Sequence, residues 1–511
     1  MRLIDFFDRG FSQHPDSPCL TDGDTTFTYR QVWHATHCIA NRLNNMSMPD
    51  NAVVATLFAN HVNAMVAILG VLRAGKIWMP LNTRNAAVEV GNSLRTHGAC
   101  FAFVDEESAC LIESTSSNLA GLCFIDSADK LNTLHHWIEQ GDPSPVDVPQ
   151  SSDTVIAIRS TGGTTGPSKG VMVTNRVYAT MYANFFSTLP VQETPIHLAA
   201  APLSHAAGAL CFPTMAFGGL NVILHKAAPE AILPAIEKYR ITHLFLPPTV
   251  IYMLLDSPLI TRHDYSSLNY LIYSAAPMSV SRLKEAMQVF GPVMTQAYGQ
   301  AEAPFFCCVL KPEEHRLATE IDEKRLASCG RATPFTRIAI MDDDGRILGP
   351  EQIGEVVIKG DMVMKGYHLN PEATAAVSTH GWHHTGDMGY LDMNGYLYLV
   401  DRKRDVIISG GFNIYPGEIE QILWSHPAIT DCAVIGVPDP LWGEAIKAVV
   451  QLKPQATATE KELIELCWEK LGKMKSPKTV EFWSQLPRST VGKVLKRDIR
   501  AQFWTQEDRK I

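Results

Sequence analysis

Ser160-Thr-Gly-Gly-Thr-Thr-Gly-Pro-Ser-Lys-Gly170 lies between two β-branched runs, Val155-Ile-Ala-Ile158 and Val171-Met-Val-Thr174. Glycines let backbone N–H groups approach a ligand, hydroxyl side chains donate, and one lysine supplies positive charge. A strand, this loop and a second strand therefore make a cradle for phosphates, with Thr161, Gly163, Thr164, Thr165, Gly166 and Lys169 as its candidate contacts. A Walker A loop is excluded, because that motif needs adjacent Gly and Lys and opens a helix, whereas Ser168 precedes Lys169 and an extended run follows. Runs of Gly, Ser and Thr are more often linkers; the flanking strands and the single placed lysine decide against a linker here.

Working outward, Val53-Val-Ala-Thr-Leu57 and Leu220-Asn-Val-Ile-Leu224 read as further buried strands, alternating with helical-period segments such as Ala64 to Leu72. That alternation predicts an α/β fold. The longest apolar stretch, Ala206 to Leu224, is interrupted by Pro213, Thr214, Asn221 and glycines, so it predicts a buried helix followed by a strand, not a lipid span. Asp342-Asp-Asp-Gly345 reads as a hairpin turn and Gly141-Asp-Pro-Ser-Pro145 as a surface loop. Near Arg404 a strand-like Tyr396 to Val400 gives way to Asp401-Arg-Lys-Arg-Asp405 and a new motif-rich region. The expected organisation is a large N-terminal α/β region of several subdomains, residues 1–403, and a small C-terminal α+β domain, residues 404–511.

A chain of 511 residues with 46% hydrophobic and 19% charged residues predicts a folded, soluble protein of two or more domains. The net charge of -9 argues against a nucleic-acid partner and for small-molecule work. Eleven cysteines, none spaced C-x-x-C, signal neither a disulfide framework nor a zinc knuckle, so the expected compartment is the reducing cytoplasm. Met1 to Gly10 mixes charged and apolar residues and has no signal-peptide core, and no integral membrane segment is expected. Locally the balance inverts: Lys470 to Arg500 holds nine Lys/Arg against two acids, a solvated helix face or a phosphate-binding rim. The neighbours His383 and His384 point to different sides of an extended chain and have no third ligand nearby, which favours structural roles over metal binding.

Six ordered blocks then carry a resemblance that runs end to end: the loop above, Pro202-Leu-Ser-His-Ala-Ala-Gly208, Gln296-Ala-Tyr-Gly-Gln-Ala-Glu302, Thr385-Gly-Asp387, Asp401 to Glu420, and Pro487-Arg-Ser-Thr-Val-Gly-Lys493. The sequence resembles the adenylate-forming superfamily of acyl-CoA synthetases, peptide-synthetase adenylation domains and firefly-type luciferases. The resemblance implies a ligase that uses ATP and Mg2+ to convert a carboxylic acid into an acyl-adenylate and then transfers the acyl group to CoA. It implies Lys493 as the catalytic lysine, Glu302 as a catalytic residue and the Mg2+ ligand, and His205 as a catalytic-site residue bordering the acyl carboxylate. Tyr298 would stack on adenine, Asp387 would accept from the ribose hydroxyls, Arg402 would lie near ribose and phosphates, and Ala276 would line the nucleotide site. The small domain would be mobile, rotating about a hinge at Arg404 to bring Gly411 and Trp442 to the thiol channel, with Lys473 and Lys475 near the CoA phosphates.

The sequence departs from the family pattern at Ser168, at Arg404 and at Ala301, which replaces a threonine that contacts the α-phosphate; Gln300 is the candidate substitute donor. By block position Phe185, Phe186, His205, Ala206, Ala207, Ala275 and Ala276 are candidates for the acyl pocket, small and apolar enough for a hydrophobic acid. A medium- or long-chain fatty acid is the leading expectation. An aryl acid, a carrier-protein acceptor in place of CoA, and an adenylate-binding pseudoenzyme are the alternatives, and a homodimer is left open.

Overall fold

The structure is a computed structural model that describes residues 1–113, 119–127, 132–160, 169–489 and 494–504. The runs flanking the glycine-rich loop are the strands Val155–Ser160 and Gly170–Thr174, paired antiparallel with Arg159 opposite Val171. Beyond Val155–Ser160 the sheet continues in parallel through Ile77–Pro80, Val53–Leu57, Ala99–Val104 and Leu122–Phe124. The two-residue strand Gly366–Tyr367 closes the other edge of this seven-stranded sheet. Parallel strands covered on both faces must be apolar throughout, and Val53–Leu57 is buried at every position.

A nine-stranded sheet lies alongside, with His243–Leu246, Tyr270–Tyr273 and Met294–Gln300 parallel in its middle and Ala303–Leu310 returning antiparallel. Between the sheets the helix Val62–Arg73 is buried at every position but Asn63, and the core it joins takes Val54, Trp78 and Ile156 from one sheet and Ala199, Ile223 and Ile272 from the other. Burying each of the valine and isoleucine side chains contributes about 1.5–3 kcal/mol, which makes the two sheets one unit. The apolar stretch after His205 forms the buried helix Ala206–Ala216 and then the strand Leu220–Ile223, as its interruptions predict.

The third sheet is a four-stranded antiparallel layer of Arg337–Met341, Gly354–Lys359, His383–Leu391 and Leu397–Arg402. The Asp342 turn is present, its amide donating to the Arg346 carbonyl at 3.0 Å. The last sheet is built on the long hairpin Ile429–Asp439 and Gly443–Leu452, extended by Ile407–Ser409, Phe412–Ile414 and Thr479–Phe482. Helices Pro416–Trp424 and Glu460–Leu471 cover it over a core of its own that begins at Ile407 and includes Ile419, Leu423, Val434 and Leu463. Pro416 stands at the first helical position, where its missing N–H costs nothing. The architecture is α/β, with a large N-terminal region and a small C-terminal α+β part. Among the described residues no helix is long and apolar enough to cross a membrane.

Candidate active site

Strand Met294–Gln300 turns tightly into Ala303–Leu310, Gln300 pairing with Ala303. Gly299 is required there, since a β-carbon would sit 2.3 Å from the Phe305 amide nitrogen. Phe305 itself has φ 64, a left-handed conformation that is costly for a bulky residue. The turn carries Tyr298 on one side and Glu302 on the other. Asp387 and Arg402 arrive from the antiparallel layer as a cross-strand pair. Tyr298 Oη donates to Asp387 Oδ2 at 2.7 Å, and Arg402 Nε lies 2.8 Å from Asp387 Oδ1. Thr385, two residues before Asp387, accepts from the Asp387 amide at 3.0 Å and donates to the Val356 carbonyl at 2.6 Å, which fixes the carboxylate's strand.

Tyr298 and Asp387 are buried, so their polar atoms must be paired. Burial first, and then the Asp387 carboxylate, pushes the Tyr298 phenol well above its ordinary value, so it remains a donor. Burial pulls Arg402 down, but the carboxylates of Asp387, Glu302 and Asp405, with Tyr298, outweigh it and hold the guanidinium above its usual value. A carboxylate offers about four lone-pair sites, and two remain on Asp387 for hydroxyl donors such as those of a ribose.

Glu302 is buried and accepts a hydrogen bond from Tyr367 Oη at 2.7 Å. Lys169, at the foot of the glycine-rich loop, holds its ammonium 4.8 Å from the centre of the Tyr367 ring. Burial, then the Glu302 carboxylate, raises the Tyr367 phenol and keeps it protonated. Lys169, Tyr367 and Glu302 thus form one line from the loop to the turn. Among the described residues no group of three or more His, Cys, Asp or Glu side chains could hold a metal. A single hard carboxylate oxygen suits Mg2+ brought in on a nucleotide, because this ion keeps phosphate and water ligands and takes one or two carboxylates from protein.

His205 caps the buried helix Ala206–Ala216, and its Nδ1 lies 2.8 Å from Ser204 Oγ. Arg159 Nη2 donates to the Ser204 carbonyl at 3.3 Å. Burial, and then the guanidinium groups of Arg159 and Arg84, pushes His205 down to about 4. The imidazole is therefore neutral across the physiological range. A proton–nitrogen correlation NMR titration is expected to show His205 without a charge change between about pH 5.5 and 8; a midpoint near the ordinary histidine value would contradict this environment.

Ala276 is half-buried in the turn after Tyr270–Tyr273, next to the exposed Ala275, whose φ of 75 turns the backbone sharply there. Phe185 and Ala207 are buried, while Phe186 and Ala206 are partly buried against the same core. Gln300 Nε2 lies 3.3 Å from His383 Nε2, which engages the amide proposed to replace the missing threonine hydroxyl. His384 turns the other way, its Nδ1 3.2 Å from Glu355 Oε2. Five candidates stand apart on the C-terminal sheet and its surroundings. Gly411 has φ 81 at the tip of the hairpin between Ile407–Ser409 and Phe412–Ile414, and Trp442 is 48% exposed beside it, its indole 2.6 Å from where a β-carbon on Gly410 would be. Lys473 stacks on Trp468 at 4.9 Å, and Lys475 is paired with Glu418. Arg404 lies in the turn Lys403–Asp405, where burial lowers its guanidinium against the pull of Asp405. Thr161, Gly163, Thr164, Thr165, Gly166 and Lys493 lie outside the described residues.

The structure adds contacts from three residues for which no role follows from the sequence, although Thr385 opens one of the six blocks. Tyr367 lies 65 positions from Glu302 in a two-residue strand, and Thr385 and Arg159 act through cross-strand or cross-helix contacts. No local period marks any of them. Only the full charge on Arg159, at the end of an otherwise apolar run, is a visible anomaly.

Residues 7–368 match the model for the AMP-binding enzyme family, and residues 418–493 match the AMP-binding enzyme C-terminal domain. The chain is 38% identical to a medium/long-chain-fatty-acid–CoA ligase of Mycobacterium tuberculosis, over 96% of this chain and 88% of that enzyme. It is 35% identical to a feruloyl-CoA synthase of an Amycolatopsis species, over 96% of each. Among solved structures it superposes on an amide bond synthetase from Marinactinospora thermotolerans with a TM-score of 0.89 at 29% identity, covering 99% of this chain and 100% of that one.

Proposed function

The chain belongs to the AMP-binding enzymes and is an AMP-forming acyl-CoA ligase, and from that premise we propose that its acid is a hydrophobic one of the medium- or long-chain fatty class. In the first step a carboxylate oxygen attacks the α-phosphorus of ATP, a C(O)–O–P bond forms, and pyrophosphate leaves with the electrons of the broken P–O bond. In the second the thiol sulfur of CoA attacks the acyl carbon, the bond to AMP breaks, and the thiol proton passes to solvent. Tyr298, Asp387 and Arg402 hold adenine and ribose, Lys169 and the glycine-rich loop hold phosphates, and Lys493 offsets the repulsion of two anions in the first step. Glu302 would hold Mg2+ with the phosphates, and the ion would neutralise charge on them. We place the domain boundary at Arg404, with Gly411 and Trp442 on the thiol side.

The observation that carries the choice of acid is the helix Ala206–Ala216, which follows His205 and buries Ala207, Leu210, Cys211 and Phe212 in the same core as Phe185. An aryl acid is the second reading, supported by the rings packed behind it, Phe185 with Phe306 at 5.3 Å and Phe305 with Phe306 at 4.4 Å, and by the similarity to a feruloyl-CoA synthase. The test is incubation of the purified protein with ATP, Mg2+, CoA and a panel of fatty and aryl acids, read by mass spectrometry. Thioesters of fatty acids are expected. Thioesters of aryl acids alone would replace the first reading by the second, and adenylate without thioester would point to a carrier-protein acceptor.

A further inference from the structure

Arg159 is the one cation in a strand whose preceding three residues, Ile156, Ala157 and Ile158, are buried. Its side chain runs inward between the helix Asn175–Thr188 and the Ser204–His205 turn. There Nη1 reaches Tyr178 Oη at 3.4 Å and Nη2 the Ser204 carbonyl at 3.3 Å. Both acceptors are neutral, both contacts are long, and among the described residues no carboxylate lies within ion-pairing distance of the group. A guanidinium has five N–H donors. The two contacts use one donor on each terminal nitrogen, which leaves three donors of the group without a hydrogen-bond partner among the described residues. A half-buried cation with two weak neutral contacts and open donors is poorly compensated, and an anion set against it offsets the cost.

The neighbours identify the anion's chemistry. Ser204 links Arg159 to His205, its carbonyl taking the guanidinium and its hydroxyl lying 2.8 Å from the imidazole. His205 is neutral and carries no competing charge. Tyr178 and Tyr182 wall the other side, their rings 6.0 Å apart, and the helix from Ala206 onward is apolar. A guanidinium beside the neutral imidazole, with apolar core behind it and Arg84 as a second cation near His205, suits an anion with an apolar body. We propose that Arg159 binds the carboxylate of the incoming acid and so selects ionised acids over their neutral analogues. This inference rests on the reading that the acyl site lies at His205. Adenylation turns the carboxylate into the neutral acyl end of a mixed anhydride and moves the negative charge to the phosphate, so the contact favours the free acid and acts on acid binding more than on turnover.

The test compares wild type, Arg159→Met and Arg159→Lys in direct calorimetric binding of two matched pairs, octanoate with octan-1-ol and ferulate with coniferyl alcohol, with octanedioate as a further ligand. For the pair that wild type binds, Arg159→Met is expected to weaken the carboxylate about ten- to hundredfold and the alcohol less than about twofold. Arg159→Lys is expected to restore most of the difference, and in turnover the KM for the acid rises while that for ATP holds. Equal weakening of acid and alcohol would make the residue structural and overturn the proposal. It also fails if neither ligand is affected, if wild type binds no carboxylate, or if only octanedioate suffers, which would assign Arg159 to a distal second charge. Thioester formation is read separately: wild type that binds octanoate yet yields no acyl-CoA refutes the ligase reading, while the binding ratio still judges Arg159.

Discussion

Replacing Lys496 by methionine is expected to lower the stability of the C-terminal part by about 3–5 kcal/mol near pH 8, and by less near pH 5. The ammonium lies 2.9 Å from Glu420 Oε1 and 3.3 Å from Asp401 Oδ2, and the three side chains are 17%, 7% and 6% exposed. Each carboxylate is also tied to the backbone, Asp401 by the Gly417 amide at 2.9 Å and Glu420 by the Val434 amide at 2.7 Å. One lysine thus joins the strand Leu397–Arg402, the helix Pro416–Trp424 and the helix Lys496–Arg500. Methionine fills similar space but leaves two buried carboxylates without a cation, the situation in which breaking a buried pair is most destabilising.

The sign of the pH dependence follows from the shifts. Burial lowers Lys496, but Glu420 and Asp401 outweigh it and hold the lysine above its ordinary value, so its contribution is constant across neutral pH and fades only as pH rises through that raised value. Burial pushes Glu420 up, and Lys496 is the main opposing influence. With the lysine gone only the Val434 amide still opposes that push. A carboxyl raised in the folded state contributes stability below its ordinary value and loses it as pH rises through the folded value, so the variant is worst at high pH. Urea melts followed by tryptophan fluorescence check this, with Lys496→Met combined with Glu420→Gln expected to regain part of the loss. A penalty independent of pH, or none, would mean that the pair is not the tie between these elements.

The parts legible in the sequence are those written in one short segment. The loop Ser160–Gly170 announces itself because glycine, hydroxyl and lysine chemistry is contiguous, and the strands beside it follow from their β-branched runs. The helix Ala206–Ala216 and the proline-led helix Pro416–Trp424 are readable for the same reason. What stays hidden is set by pairing between distant segments. The partner of Glu302 is 65 positions away, and His97 meets His368 across 271 positions at 3.1 Å beside Gly170. Ser204 accepts from Arg159 across 45 positions, so the charge is visible in the sequence while its place beside His205 is not. A motif gives a residue's type and order, and the sheet register gives its partners.

The second large effect is expected at Asp387. Asp387→Ala should weaken ATP binding by about 2–5 kcal/mol, roughly thirtyfold to several thousandfold, with a smaller loss for Tyr298→Phe. Asp387 accepts from Tyr298 Oη at 2.7 Å and faces Arg402 Nε at 2.8 Å, so removing its carboxylate takes away the acceptor proposed for ribose and also leaves a guanidinium without its nearest counter-charge. Asp387→Asn separates the two consequences: the shape is kept and one acceptor oxygen remains, but the negative charge opposite Arg402 is gone. If the charge matters most, Asn behaves like Ala; if ribose acceptance matters most, Asn retains much of the affinity. Tyr298→Phe removes one hydrogen bond and keeps the ring, so about a tenfold loss is expected from it. Calorimetric titration with ATP gives the affinities, and thermal melts of the same variants show whether the unpaired Arg402 also costs stability. ATP binding at wild-type strength in Asp387→Ala would remove the ribose assignment and leave this triad a structural pairing between the antiparallel layer and the strand Met294–Gln300.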